Sequence, residues 1–129
     1  MATKILVVDD DHDQAEILHS ILEADDRDIT ICTKAREALH LIEINPYDII
    51  FTDISMPEVD GIQIIQYTKK HSPNTELIPI TAFGDWGIYS QTLKLGAKEF
   101  VNKPYNIQEI HGLMKKFNEN RRIKEGRAI

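Results

Sequence analysis

Five short apolar runs alternate with five stretches of helical periodicity along the chain, and this alternation limits the fold more than any other feature of the sequence. Lys4–Val8, Asp28–Cys32, Asp48–Asp53, Leu77–Thr81 and Glu99–Val101 read as strands. Lys4-Ile5-Leu6-Val7-Val8 has no polar alternation, as expected of a strand covered on both faces in a parallel sheet. Ala15, Leu18, Ile21 and Leu22 recur at helical spacing, and Asp11 with Gln14 three residues on reads as that helix's start. Ala35, Ala38, Leu39 and Ile42 give a second helix that must end before Pro46, because the residue preceding a proline avoids the helical region. Val59, Ile62, Ile65 and Tyr67 mark a third, closed by the turn His71-Ser72-Pro73-Asn74. Gly84 to Gly96 is a fourth, with Gly96 as its C-terminal cap. Ile107, Ile110, Met114 and Phe117 form the stripe of a fifth, opened by Asn106 and Glu109 in the spacing of a capping box. Pro79 removes one ladder donor from the fourth strand and counts against a flawless central strand there.

Strands and helices alternating through short loops imply an α/β fold: a single doubly wound five-stranded parallel sheet with helices on both faces and right-handed crossovers. Five such units suit the flavodoxin-like strand order 2-1-3-4-5, in which strands one and three are neighbours and their carboxyl ends share a crevice. With 129 residues, 42% of them hydrophobic, the chain has material for one core and no room for a second domain. Residues 1–120 read as that domain and 121–129 as a basic tail or linker stub.

The net charge of −6 argues against general nucleic-acid binding, which needs a basic surface. Six of the fifteen Lys and Arg fall in residues 115–129, where they suit the end of a last helix. No apolar run approaches the roughly 18 residues of a membrane span, and Met1-Ala2-Thr3-Lys4 leads into a strand without a signal-peptide core, so a cytoplasmic location is expected. Cys32 is the only cysteine, which excludes an internal disulfide and a thiolate metal cluster. The five histidines include no pair at i, i+4, and no glycine-rich loop follows the first strand to cradle a nucleotide.

The polar residues at the strand ends carry the chemistry. The first strand stops at Asp9-Asp10-Asp11 and the third at Asp53, so the strand order brings Asp9, Asp10 and Asp53 into one crevice. Three close carboxylates repel unless a cation sits among them. A small set of oxygen ligands with room for water suits Mg2+, or Mn2+, better than zinc. A hard ion beside a nucleophilic carboxylate is a phosphoryl-transfer arrangement, which also needs donors and positive charge for the phosphoryl oxygens. Thr81 at the end of the fourth strand and Lys103 after the fifth are candidates for those roles.

Asp9-Asp10, Asp53, Thr81-Ala82 and Lys103-Pro104, with Met56-Pro57 before Asp60-Gly61 and Gly96-Ala97 before Phe100-Val101-Asn102, resemble the receiver domain of two-component response regulators over roughly residues 3–120. The resemblance implies that Asp53 is a phosphoacceptor served by a sensor histidine kinase or a histidine phosphotransfer protein. It implies that Asp10, assisted by Asp9, holds magnesium with Asp53 and the main-chain carbonyl of Ser55. Lys103 would pair with the phosphoryl oxygens, Thr81 would move to bond them, and Phe100 would swing inward behind it. The Lys103-Pro104 bond is expected to be cis. Such a domain catalyses only its own phosphorylation and dephosphorylation. Phe100 lacks the hydroxyl of the tyrosine common at that place, which leaves its two rotamers separated by packing alone.

Two other readings compete. A small magnesium-dependent aspartate-nucleophile phosphohydrolase usually carries a second Asp two residues after the nucleophile, where this chain has Ser55. A receiver-like interaction module that is never phosphorylated would not need Asp53, Thr81 and Lys103 intact. In receivers the surface of the fourth helix, fifth strand and fifth helix commonly reads out phosphorylation, to an output protein or a second copy. On the fourth helix Trp86, Ser90, Leu93 and Ala97 share one stripe while Ile88 and Leu95 lie opposite. Ser90, Leu93 and Ala97 are assigned to the core, and Ile88 and Leu95 to an exposed docking stripe.

Overall fold

The computed structural model describes residues 2–56, 61–82 and 86–124. The chain runs β1 (Thr3–Val8), α1 (His12–Leu22), β2 (Arg27–Cys32), α2 (Ala35–Ile44), β3 (Ile49–Asp53), α3 (Gly61–His71), β4 (Glu76–Ala82), α4 (Trp86–Lys94), β5 (Val101–Lys103) and α5 (Ile107–Lys124). Its strands form one parallel sheet in the order β2-β1-β3-β4-β5, as the alternation predicts. Among the described residues no helix is long and apolar enough to cross a membrane.

Side chains alternate across each strand, so the sheet feeds two cores. Ile5, Val7, Ile49, Phe51, Ile78, Ile80 and Val101 pack under α1 and α5, against Leu18, Leu22, Ile110 and Met114. Leu6, Val8, Ile50 and Leu77 pack on the other face against α2 and α3, through Ala38, Ile42, Ile64 and Ile65. The same alternation fixes the strand ends. Asp9, Asp53 and Lys103 continue the α1/α5 parity of Val7, Phe51 and Val101, whereas Thr81 falls on the opposite parity to Ile80.

Local signals set the helix ends. The Asp11 side chain accepts from the Asp13 and Gln14 amides and caps α1. Asn106 accepts from the Glu109 amide at 2.9 Å and opens α5. Gly96 follows α4 at φ 96°, a left-handed conformation that favours glycine. Pro79 sits within β4, opposite Thr52, and β4 runs unbroken through it; the ladder picks up again where the Ile54 amide donates to the Ile80 carbonyl at 3.2 Å.

Several sequence expectations need correction. The fifth strand is Val101–Lys103, two residues later than Glu99–Val101, because Ile80, Thr81 and Ala82 pair with Val101, Asn102 and Lys103. Ile107 is 56% exposed rather than part of the buried stripe, which begins at Ile110. On α4 the phase is reversed. Leu93 is 45% exposed and Ser90 is exposed, while Ile88 and Leu95 are partly buried against the α2/α3 core. Of the residues assigned to the core only Ala97 is buried, so an exposed Ile88 and Leu95 docking stripe does not exist. Thr92 explains the reversal: it is 1% exposed, and its hydroxyl donates to the Tyr89 carbonyl at 2.8 Å. A threonine that satisfies its hydroxyl within its own helix can occupy the core line between Ile88 and Leu95.

α5 continues to Lys124, past the boundary at residue 120, and Arg121 within it lies 3.7 Å from Asp48 and donates to the Thr3 hydroxyl at 3.3 Å. Val59, Gly84, Pro57 and Asp60 lie outside the described residues.

Candidate functional site

The carboxyl ends of β1 and β3, adjacent in the sheet, bring Asp9, Asp10 and Asp53 together, and each offers a carboxylate oxygen within 4.8 Å of the others. Asp9 is fully buried, Asp53 is 9% exposed and Asp10 faces solvent. Lys103 comes from β5, two strands away from β3, and its stem spans that distance. Its Nζ donates to Asp53 Oδ2 at 3.0 Å and stands 2.7 Å from Asp9 Oδ2. The second contact is an ion pair without hydrogen-bond alignment, since Asp9 Oδ2 has no hydrogen-bond partner among the described residues. One cation thus serves two buried acids.

The remaining carboxylate oxygens are held by main chain. Asp53 Oδ1 accepts from the Ser55 amide at 2.9 Å, and Asp9 Oδ1 accepts from the Asp11 amide at 3.0 Å. These bonds fix the carboxylates while leaving Asp10 outward.

The site is electrostatically poised. Burial pushes the Asp53 carboxyl above its ordinary value of 3.8, against the pull of the Ser55 amide and Lys103, and the Asp9 charge adds to the push. Burial alone would lower Lys103, but Asp9 and Asp53 together hold it above its ordinary 10.5. The three carboxylates form an all-oxygen donor set, open to solvent at Asp10, which fits a hard divalent cation such as magnesium.

Thr81 is 5% exposed, and its hydroxyl donates to Asn102 Oδ1 at 2.9 Å. The Lys103-Pro104 bond is cis. The Phe100 ring lies 4.3 Å from that of Tyr89 on α4, and Tyr89 meets Trp86 edge-on at 6.2 Å. Every site residue proposed from the sequence therefore lies at or beside one sheet end.

Two neighbours escaped the sequence reading. Asn102 became a partner of Thr81 only once the β4–β5 register was known. Tyr105 buries a hydroxyl that finds no hydrogen-bond partner among the described residues, and burial, then the charges of Asp9, Asp53 and Asp11, hold that phenol far above its ordinary 10.0. Its signal was a polar aromatic two residues after Lys103.

Comparison with known proteins gives a consistent result. The family model of the response regulator receiver domain matches residues 5–115. The response regulator protein PilR of Pseudomonas aeruginosa is 32% identical over 111 residues, 86% of this chain and 25% of PilR. The transcriptional regulatory protein KdpE of Staphylococcus aureus is 31% identical over 110 residues, 85% of this chain and 47% of KdpE. The chain thus spans half or less of the length of these relatives. The receiver domain of the Francisella response regulator 1452 superimposes with a TM-score of 0.80 at 31% identity, over 92% of this chain and 98% of that one.

Proposed function

The chain belongs to the response regulator receiver domain family, and on that premise we propose that Asp53 accepts a phosphoryl group from a phosphohistidine. The donor is a sensor histidine kinase or a histidine phosphotransfer protein. The observation that carries this reading is the bridge of Lys103 Nζ between Asp53 Oδ2 and Asp9 Oδ2. It holds a cation on the acceptor carboxylate, where phosphoryl oxygens would arrive.

In the transfer an Asp53 carboxylate oxygen forms a bond to phosphorus while the phosphorus–nitrogen bond breaks. The electron pair stays on the imidazole, which recovers its neutral form by taking a proton. Asp10 and Asp53, with Asp9 and the main-chain carbonyl of Ser55, would hold Mg2+, and Mn2+ would serve in its place. When bound, the ion supplies positive charge against the acids and the phosphoryl oxygens. Lys103 moves its hydrogen bond from Asp53 to a phosphoryl oxygen, and Thr81 turns its hydroxyl to another.

The output follows from what adjoins Thr81. Phe100 packs on Tyr89, so a rearrangement at Thr81 and Phe100 is felt by α4. Trp86 and Leu93, 65% and 45% exposed, are the apolar residues that α4 presents to an output protein or a second copy, together with β5 and α5. The net charge of −6 argues against direct nucleic-acid binding by this domain.

A chain of this kind catalyses its own phosphorylation and dephosphorylation only. Incubated with acetyl phosphate and magnesium, it should take up one phosphoryl group per chain by intact-mass analysis, and none with the metal chelated. Repeated turnover of an aromatic phosphate ester would instead identify a phosphohydrolase.

A further inference from the structure

Asn102 stands directly across the parallel ladder from Thr81, and both side chains fall on the sheet face opposite to Lys103. The Thr81 hydroxyl has a single proton, given to Asn102 Oδ1 at 2.9 Å. That hydroxyl cannot donate to Asn102 and to a phosphoryl oxygen on Asp53 at once. Thr81 is 5% exposed, so water competes poorly for the bond, and a β-branched side chain has few rotamers among which to choose. We propose that Asn102 is a positioning residue that holds the Thr81 hydroxyl in its resting orientation and thereby sets how readily the chain adopts its phosphoryl-bound state. The proposal rests on reading Asp53 as the phosphoacceptor and Thr81 as a ligand of the phosphoryl group.

The size of the effect follows from what replaces the bond. Asn102 is half-buried, so its amide oxygen meets water when Thr81 turns away, and the switch gives up one sheltered hydrogen bond without orphaning a polar atom. Removing the acceptor in advance lifts that cost from the switch. The apparent affinity for a phosphoryl mimic rises by the same factor, roughly 2- to 12-fold for one such bond. An aliphatic side chain at 102 retains the preference for a strand and offers Thr81 no acceptor.

The test is a titration with beryllofluoride in magnesium, a mimic of an acyl phosphate, followed by amide NMR. Asn102→Val should tighten apparent affinity about 2- to 12-fold, and Asn102→Ala should do the same should valine disturb the strand. In a Thr81→Val background both substitutions should leave affinity unchanged, because the hydroxyl through which Asn102 acts is gone. Three-bond couplings of Thr81 should show one rotamer in the unliganded wild type and averaging in Asn102→Ala. Unchanged or weaker affinity in folded Asn102 variants, or an equal shift in the Thr81→Val background, overturns the role of Asn102 alone. A folded wild type that binds no beryllofluoride overturns the reading of Asp53 and this proposal with it.

Discussion

Lys103→Met should destabilise the protein by about 3 kcal/mol in the presence of a metal chelator, measured by urea denaturation at neutral pH. Methionine keeps the length and apolar character of the stem, so the loss is one of charge. The fully buried Asp9 and the nearly buried Asp53 then lose the cation that stands 2.7 and 3.0 Å from them. Breaking a buried ion pair from one side costs about 3 to 5 kcal/mol, and the 25% exposure of the Lys103 side chain places this case at the lower end. The folded state raises the Lys103 pKa, so its stabilisation is complete below the ordinary value of 10.5 and is lost as pH rises beyond it. The gap between wild type and variant should close over that alkaline range. Magnesium should narrow it at neutral pH, because the variant lacks the ammonium that competes for the same acids and so binds the ion more tightly than the wild type. A gap below about 1 kcal/mol in chelator would show that the bridge does not hold the crevice together.

Gly61→Ala should damage the fold and the site together. A Cβ at Gly61 would stand 2.2 Å from the Asp53 carbonyl oxygen, 2.6 Å from the Ile54 Cα and 2.9 Å from the Asp53 carbonyl carbon. All three are backbone atoms, so no side chain can swing aside. Either α3 retreats, breaking the 3.1 Å bond from the Gly61 amide to the Ile54 carbonyl, or the end of β3 moves and carries Asp53 with it. Overpacking of this kind costs about 1 to 3 kcal/mol. A displacement of Asp53 near 1 Å should slow phosphoryl uptake by up to about 100-fold. Gly87→Ala is the control, since an added Cβ there meets none of the described residues within 4 Å. Equal stability and labelling rate in Gly61→Ala and Gly87→Ala would contradict the close approach.

What the sequence revealed, and what it hid, follows from the range of the interactions concerned. The sheet order was legible because each strand is short, strongly apolar and separated from the next by a helix, which leaves few topologies. Asp9, Asp10 and Asp53 were legible as a cluster because acids end the first and third strands, which that order makes neighbours. The α4 phase was not. That helix carries apolar residues on both sides, Trp86 and Leu93 against Ile88 and Leu95, and the buried Thr92 that decides between them reads as polar. The position of β5 depended on pairing with Ile80, Thr81 and Ala82 rather than on its own composition, since Asn102 and Lys103 look like loop residues. The bond between Thr81 and Asn102 spans 21 positions and needs that register before it can be seen. The tight fit of Gly61 under Asp53 is likewise a tertiary fact, although the glycine itself was noticed.

The central claim is that Asp53, among the three clustered carboxylates, forms the bond to phosphorus. Borohydride reduction of the acetyl-phosphate-treated protein converts an acyl phosphate to an alcohol at the modified residue, which peptide mass spectrometry can locate. The account predicts homoserine at position 53 in wild type and at no position in Asp53→Asn. Homoserine at position 9 or 10 in the wild type, or unchanged labelling of Asp53→Asn, would contradict it.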